Sequence, residues 1–226
     1  MTELAVLTYN VRGLRDDFAA LQRVIRGSGA RLVYVQEAPK IFRVRARAAD
    51  LARRCGMVVV AGPVGASGNL LMSDMAVTVH RAREVLLPPT PGQQRRGATL
   101  AELSLSGRRF TALGTHLSLD RAERARQARV LLDLLGPGGP PAVLAGDLNE
   151  TPGGAVTAVL SERLADAALA GGDPGTPTYP TRRPGRRIDY VFADPALPVA
   201  GYEVLDGPDV RAASDHFPVR VTLDLG

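Results

Sequence analysis

Several residue types are scarce in this 226-residue sequence, and each scarcity excludes a class of protein. Tryptophan is absent, cysteine occurs once, as Cys55, and lysine occurs once, as Lys40. A single cysteine cannot form an intrachain disulfide or a cysteine-rich zinc site. No window of about 18 residues is apolar and free of charge, so we expect no transmembrane helix. The first residues also lack the basic and apolar segments of a secretory signal, and we therefore expect a cytoplasmic protein.

The overall composition is that of an ordinary globular protein. Hydrophobic residues make up 45% of the chain and charged residues 23%, which argues against intrinsic disorder. A chain of this length buries roughly 70% of its unfolded surface when it folds as one unit. No linker or change of composition divides the sequence, so we expect a single domain over residues 1–226, and we expect a monomer.

Positive charge exceeds negative charge along the chain. The 28 lysine and arginine residues outnumber the 23 aspartate and glutamate residues, and the sequence pI is about 10.0. This balance favours an anionic partner such as a phosphate ester or a nucleic acid. The arginines occur in pairs rather than in long runs, however, and a coding bias toward arginine explains the same excess. Charge alone therefore leaves a nucleic-acid partner open.

Apolar runs alternate with helical patterns, which predicts an α/β protein. Helices are predicted over 17–27, 40–54 and 119–135, where apolar residues recur at helical spacing. Connections of hairpin length outnumber helical crossovers, so the sheets should be mixed or antiparallel. A long loop over 171–187 is rich in glycine, proline and threonine, and loops of that length are usually functional or disordered.

Polar side chains follow several of the predicted strands at the point where each strand ends. The run over 142–146 leads into Asp147 and Asn149, whose side chains share a face if the chain stays extended. Each such residue is weak evidence by itself, because a polar residue after a strand is commonly a turn or a cap. Together, however, these residues indicate a functional site, because many of them follow strands. The set consists of Asn10, Glu37, His116, Asp147, Asn149, Asp189, Asp215 and His216. His80 has no companion carboxylate nearby in the sequence and is interpreted as structural.

The residue types in this set suit the hydrolysis of a phosphate ester. The oxygen ligands of Asn10, Glu37 and Asp215 are those that Mg²⁺ or Mn²⁺ prefers. A histidine held by a carboxylate, as in a pair of His216 with Asp189, can act as a base or bind phosphate as an imidazolium. Asp147 can orient or deprotonate the attacking water. The residues alone leave open whether Asp147 or His216 is the general base.

The ordered motifs resemble those of the endonuclease/exonuclease/phosphatase superfamily, the DNase I-like group. They are Asn10, Gln36-Glu37, Thr115-His116-Leu117, Gly146-Asp147-Leu148-Asn149, Arg187-Ile188-Asp189-Tyr190 and Ser214-Asp215-His216. The resemblance spans residues 4–225. It implies a four-layered αββα sandwich of two mixed, mainly antiparallel β-sheets flanked by helices, and a divalent-metal-dependent phosphoesterase activity.

The same resemblance implies a role for each motif residue. Asn10, Glu37 and Asp215 would bind the metal ion. Asp147 and Asn149 would orient the nucleophile and contact the phosphate, and Asp189 with His216 would form the carboxylate–histidine pair. His116 would be the second histidine, which binds the phosphate or acts as an acid. Tyr179, in the loop before the Asp189 motif, lies where relatives often place an aromatic near the substrate; simple packing of the loop is the alternative.

More than one substrate class fits the sequence. A nuclease or related phosphodiesterase is the first hypothesis, and a phosphomonoesterase or a small-molecule or lipid-headgroup phosphodiesterase is the second. A non-catalytic binding domain is a remote third, because none of the expected residues is missing. Within the family, Thr115-His116 resembles the DNase I, sphingomyelinase and phosphatase branches, which argues against an abasic endonuclease. The number of metal ions used in turnover stays open.

Overall fold

The computed structural model describes residues 2–226, and its helices and strands follow the apolar runs of the sequence. The strands of this range, numbered β1 to β12, are Glu3–Asn10, Leu32–Gln36, Val58–Ala61, Leu70–Ser73, Val77–Leu86, Gly97–Leu105, Arg108–His116, Ala142–Asp147, Ala165–Asp166, Asp189–Ala193, Val199–Val204 and Val219–Asp224. Its α-helices, numbered α1 to α6, are Phe18–Gly27, Val44–Arg54, Arg121–Leu135, Ala155–Leu160, Ala167–Ala170 and Pro208–Ala213. A 3-10 turn covers Arg12–Leu14.

The strands of residues 2–226 form two six-stranded sheets. The first sheet has the order β11-β12-β1-β2-β4-β3, and the second has the order β5-β6-β7-β8-β10-β9. Neighbouring strands are antiparallel except for β1 with β2 and β7 with β8. Each parallel pair lies inside its sheet and is joined by a helix, α1 or α3, because parallel strands need a long crossover. The predicted mixed, mainly antiparallel sheets are thus confirmed.

The crossover helices begin at residues that cap them. The Asp17 carboxylate accepts hydrogen bonds of 2.9 Å from two backbone N–H groups in the first turn of α1. Asp120 does the same for α3, where it accepts a bond of 2.8 Å from the Glu123 N–H. Such caps satisfy N–H groups that a helix leaves without partners. Leu21 and Ile25 are then buried on the inner face of α1.

Apolar clusters fill the spaces between the layers. The cluster between the sheets contains Leu4, Tyr34, Phe110, Val143 and Val191, drawn from both sheets. A second cluster packs α1, α2 and α6 against the first sheet, and a third packs α3 and α4 against the second sheet. Helices therefore cover the outer face of each sheet, and the layers follow the order α, β, β, α. This is the sandwich that the sequence resemblance implied.

The helices differ from the sequence prediction in several places: α5 was not predicted, and two further differences have a clear physical reason. The helix predicted over 40–54 begins only at Val44, because Phe42 and Arg43 have φ angles of 53° and 49°, which a right-handed helix excludes. Helix α6 was not predicted. Its Pro208 occupies the first helical turn, where the fixed φ of proline favours a helix start. None of the helices within residues 2–226 combines the length and hydrophobicity that crossing a membrane requires.

Gly146 allows β8 to approach β7 just before the strand reaches Asp147. Its φ is 152°, and a Cβ atom at this position would overlap the Thr115 carbonyl oxygen. Thr115 and Gly146 are paired in the parallel register, as are His116 and Asp147. A side chain at residue 146 would therefore push Asp147 away from His116.

We expect Gly146→Ala to lower the free energy of unfolding by about 3 kcal/mol, because the new methyl group meets backbone that cannot rotate away. Urea denaturation followed by circular dichroism measures the change. Gly27→Ala is the matched control, since a Cβ at Gly27 meets nothing within 4 Å. Equal stability of the two variants would contradict the close approach of β7 and β8.

Candidate active site

Asn10 connects the ends of the two sheets. It is the last residue of β1 and is paired with Gln36 in the parallel register, which places it beside Glu37. Its Nδ2 donates to Glu37 Oε1 at 3.2 Å and to Asp147 Oδ2 at 3.1 Å. Asp147 belongs to the other sheet, so one carboxamide joins carboxylates that arrive from both sides of the sandwich.

Asp147 lies between two strand neighbours that the sequence analysis also selected. In the register of the second sheet, Asp147 of β8 is opposite His116 of β7 on one side and Asp189 of β10 on the other. Asp147 Oδ2 is 3.4 Å from His116 Nε2 and 3.9 Å from His216 Nε2. Because the side chain is only 2% exposed, these contacts form in a largely dehydrated environment.

Asn149 reaches the site by a turn, and the extended chain assumed from the sequence is wrong here. Strand β8 ends at Asp147, and Asn149 has a φ of 53°. Its backbone N–H donates to Asp147 Oδ1 at 2.9 Å, which is the side-chain turn that aspartate commonly forms. The Asn149 Nδ2 group then lies 3.0 Å from His116 Nε2 and donates to the Leu117 carbonyl at 2.9 Å. The two residues share the site, but through this turn.

Asp189 and His216 form the pair that the sequence predicted. His216 Nδ1 lies 2.9 Å from Asp189 Oδ2 and 3.2 Å from Oδ1. Thr178 fixes the carboxylate from behind, because its hydroxyl donates to Asp189 Oδ2 at 2.6 Å. The same hydroxyl oxygen accepts the backbone N–H groups of Ile188 and Asp189 at 3.0 and 3.1 Å. Thr178 is fully buried and was missed by the sequence analysis.

The two histidines of the site differ in charge. Burial lowers the pKa of His116 to about 3, and the positive charge of Arg96 acts in the same direction. Burial also acts to lower the pKa of His216, but the adjacent Asp189 outweighs it and raises that pKa to about 9. Burial raises the pKa of Asp147. At neutral pH His116 is therefore neutral and His216 is an imidazolium.

Glu37 and Asp215 occupy the rim of the site. Glu37 is half-buried and has a φ of 54°, a backbone conformation whose strain is often found at functional positions. Among residues 2–226, Asn10 is its side chain's hydrogen-bond partner. Asp215 Oδ2 lies 3.3 Å from Arg12 Nε, so this predicted metal ligand is paired with an arginine that the sequence analysis did not select.

Tyr179 contacts the site, whereas His80 lies on strand β5 and bonds to Ser104. The Tyr179 ring centroid lies 4.6 Å from that of His216, and the Arg186 guanidinium lies 4.9 Å from the Tyr179 ring. Tyr179 thus packs against a site histidine, in the middle of the predicted loop over 171–187. His80 is exposed on β5 and lies 2.8 Å from Ser104 Oγ, which agrees with its interpretation as structural.

A basic cleft adjoins the site on the Glu37 side. It has a volume of about 480 Å³, and Glu37 and His116 are among the residues that line it. Lys40, Arg47 and Arg96 also line it. The sequence analysis noted Lys40 as the single lysine and described the arginines as paired, as in Arg95-Arg96, but it assigned neither Lys40 nor Arg96 a role. Only the fold places these distant residues around one cavity.

The donor atoms of the site fit a hard divalent cation. Asp147, Asp189 and His216 offer ligand atoms that lie within 4.8 Å of one another. In this cluster Asp189 and His216 already bind each other. The Glu37 carboxylate, by contrast, accepts one hydrogen bond within residues 2–226. The candidate ligands near it are mainly oxygen atoms, and no cysteine is among them. Oxygen-rich sites of this kind suit Mg²⁺ or Mn²⁺ better than zinc.

Comparison with known proteins identifies the family. The sequence pattern of the Endonuclease/Exonuclease/phosphatase family matches residues 7–216. The chain belongs to this family. The match extends from the first strand to the last motif histidine, so it includes every candidate site residue. No curated protein matches the chain at a significant level.

Solved structures of the family share the fold at low sequence identity. An endonuclease/exonuclease/phosphatase from Beutenbergia cavernae is 26% identical, with a TM-score of 0.80 over 100% of this chain and 72% of that one. A mannosyl-6-phosphatase of Bacteroides thetaiotaomicron is 18% identical, with a TM-score of 0.82 over 98% and 99% of the two chains. D. rerio TDP2 complexed with single strand DNA product is 20% identical, with a TM-score of 0.81 over 99% and 100%.

We expect Thr178→Val to lower the free energy of unfolding by about 2 kcal/mol, because it removes a donor to a buried carboxylate and an acceptor for two N–H groups. Chemical denaturation measures the loss. Thr176→Val is the control, since the Thr176 hydroxyl donates to Asp173 in the same loop and has no other side-chain hydrogen bond within residues 2–226. A loss of the same size in both variants would show that Thr178 does not support Asp189 specifically.

Proposed function

We propose that the protein is a Mg²⁺- or Mn²⁺-dependent phosphodiesterase that hydrolyses its substrate by attack of water on phosphorus. The observation that supports this best is the position of Asp147 Oδ2. It lies 3.1 Å from Asn10 Nδ2, 3.4 Å from His116 Nε2 and 3.9 Å from His216 Nε2. A carboxylate oxygen surrounded by an amide and two imidazoles is suited to orient a water molecule beside a bound phosphate.

Asn10, Glu37 and Asp215 would hold the metal ion at the rim of the site. Neither Glu37 nor Asp147 forms an ion pair with a lysine or an arginine within residues 2–226. Asp147 faces the imidazolium of His216, whereas Glu37 has no ion-pair partner within residues 2–226 and therefore has room for a bound cation, since buried carboxylates are normally paired or coordinate a metal. When bound, the metal would neutralise phosphate charge and stabilise the developing charge on the leaving oxygen.

Asp147 is the better candidate for the general base. His216 Nδ1 is bonded to Asp189, and its Nε2 faces Asp147, so the imidazolium is placed to donate to the phosphate. The water oxygen forms the new bond to phosphorus, and its proton passes to Asp147. The bond to the leaving oxygen then breaks, and solvent protonates that oxygen. His116, neutral and held by Asn149, orders the opposite side of the phosphate.

Two substrate classes follow from different observations. The positive net charge favours nucleic acid, and the fold is shared with TDP2 in complex with a single-stranded DNA product. We therefore place nucleic-acid phosphodiesters first. The cleft beside Glu37 has the size of a small-molecule site, and the same fold occurs in a mannosyl-6-phosphatase. Small phosphomonoesters are the second class.

We expect Asp147→Asn and His216→Ala each to lower kcat/KM by at least about 10³-fold, because each removes a group that acts on the reacting atoms. Initial rates with bis(p-nitrophenyl) phosphate and with single-stranded oligonucleotides measure the effect. His80→Ala is the matched histidine control and should retain full activity. Full activity of correctly folded Asp147→Asn protein would refute the assigned site.

Turnover should require added metal. We expect EDTA to abolish activity and Mg²⁺ or Mn²⁺ to restore it, because the carboxylates of the site need a cation before they can accept a phosphate. Glu37→Gln should weaken Mn²⁺ binding by about 10-fold or more in calorimetric titration. Glu203→Gln, at an exposed position of β11, serves as the control. Undiminished turnover in EDTA would contradict the proposal, as would no turnover with either metal, which is the behaviour of a pure binding domain.

A further inference from the structure

Arg96 is a buried cation without an ion-pair partner among residues 2–226. The residue is only 5% exposed, and within that range its Nε has no hydrogen-bond partner. No ion pair or side-chain hydrogen bond within residues 2–226 involves its guanidinium. Burying an isolated charge is strongly unfavourable, and buried arginines are normally paired with an acid or a carbonyl. The position therefore points to an anion that binds from outside the chain.

The backbone around Arg96 is fixed. Its carbonyl accepts a hydrogen bond of 3.0 Å from the Leu87 N–H, and the next carbonyl, that of Gly97, accepts one of 2.9 Å from Asn69 Nδ2. A Cβ at Gly97 would lie 2.8 Å from the backbone of Ala66 and of Val85. Because this segment of backbone is tightly packed, loose packing does not explain why the Arg96 side chain lacks a partner.

Arg96 lines the cleft beside the catalytic residues. Glu37 and His116 line this cleft together with Arg96, whereas Asp189 and His216 do not line it. Burial lowers the pKa of Arg96, and the carboxylates of Asp147 and Glu37 act in the opposite direction, which places them within electrostatic reach. The guanidinium thus lies next to the scissile phosphate site but on one side of it.

Lys40 brings a second positive charge to the same cleft. Gly68 leaves room for its stem, because a Cβ at Gly68 would overlap Lys40 Cε. Loss of hydration and then the charge of Arg96 lower the pKa of Lys40, so the two cations repel each other. The Glu37 carboxylate acts on the pKa of Lys40 in the opposite direction, but no ion pair within 4.0 Å joins the two side chains. Two converging cations that have no ion-pair partner within residues 2–226 attract an anion.

We propose that Arg96 and Lys40 bind a second phosphate of the substrate, adjacent to the phosphate that is hydrolysed. The inference rests on the proposed function, in which Asn10, Asp147 and the two histidines account for the scissile phosphate. A guanidinium presents parallel N–H donors that match two phosphate oxygens, and a lysine ammonium adds a point charge. The favoured substrate is therefore a phosphodiester with a neighbouring or terminal phosphate.

Matched substrates test this preference. We compare the dinucleotide TpT with its 5′- and 3′-phosphorylated forms and measure kcat/KM for each. Wild-type protein should prefer at least one phosphorylated form by about 10-fold or more, and Arg96→Met and Lys40→Met should each reduce that ratio toward 1. Arg108→Met is the control that should keep the ratio. Arg108 is eight residues before His116 on β7, about 26 Å away at the usual rise of a strand.

Thermal denaturation separates a binding role from a structural one. Replacing an unpaired buried charge with a methionine of similar length should raise Tm without anion and should remove the stabilisation that inorganic phosphate gives the wild-type protein. A lower Tm for Arg96→Met would mean that Arg96 has a structural role. In that case the substrate preference of Lys40→Met tests the second phosphate site, because Lys40 is exposed and its replacement should leave the fold intact. An unchanged ratio in Lys40→Met, or equal losses on all three dinucleotides, would overturn the inference.

The two proposals fail in different ways. If no phosphate ester is hydrolysed, the proposed function is wrong, while saturable binding of inorganic phosphate that Arg96→Met and Lys40→Met weaken by about 10-fold would still support the anion site. If hydrolysis occurs and no phosphorylated dinucleotide is preferred, the proposed function stands and the second phosphate site does not exist.

Discussion

The hydrogen bond between Asn10 Nδ2 and Asp147 Oδ2 is the contact on which the site depends. It joins the parallel pair of one sheet to the parallel pair of the other, across the packed interior of the sandwich. The apolar cluster between the sheets sets their distance, and this polar contact at its end fixes their alignment. Packing in the core and chemistry at the rim are thus connected through one carboxamide.

The electrostatic surroundings then give the two histidines of the site different charges. His116 and His216 are both buried, yet one lies close to the basic cleft and the other is bonded to Asp189. Burial keeps the first neutral, with the charge of Arg96 acting in the same direction, and Asp189 keeps the second charged, although both imidazoles face the same oxygen of Asp147. An asymmetric setting of this kind lets one site present a neutral and a cationic ring to one phosphate.

The α/β class could be predicted from the sequence because apolar runs are local signals, whereas the sandwich of two sheets was implied by the resemblance of the ordered motifs to the family. The strands that end at Asn10, His116 and Asp147, and the one that ends just before Glu37, could be recognised from apolar runs followed by polar residues. The contacts of Asn149 could not, because they depend on a turn with positive φ. Thr178 and Arg96 could not be recognised either, since a lone threonine in a loop and an arginine before a strand carry no signal until the fold brings Asp189 and Glu37 near them.

The register of the second sheet has a consequence for how this protein can change. His116, Asp147 and Asp189 are paired across three adjacent strands, and successive residues of a strand point to opposite faces. One residue inserted within β8 would turn the Asp147 carboxylate toward the helices and replace it with a neighbour. Loops between the strands are free of that constraint. Variation in length should therefore accumulate in the loops, while the strands that end at the site keep their lengths.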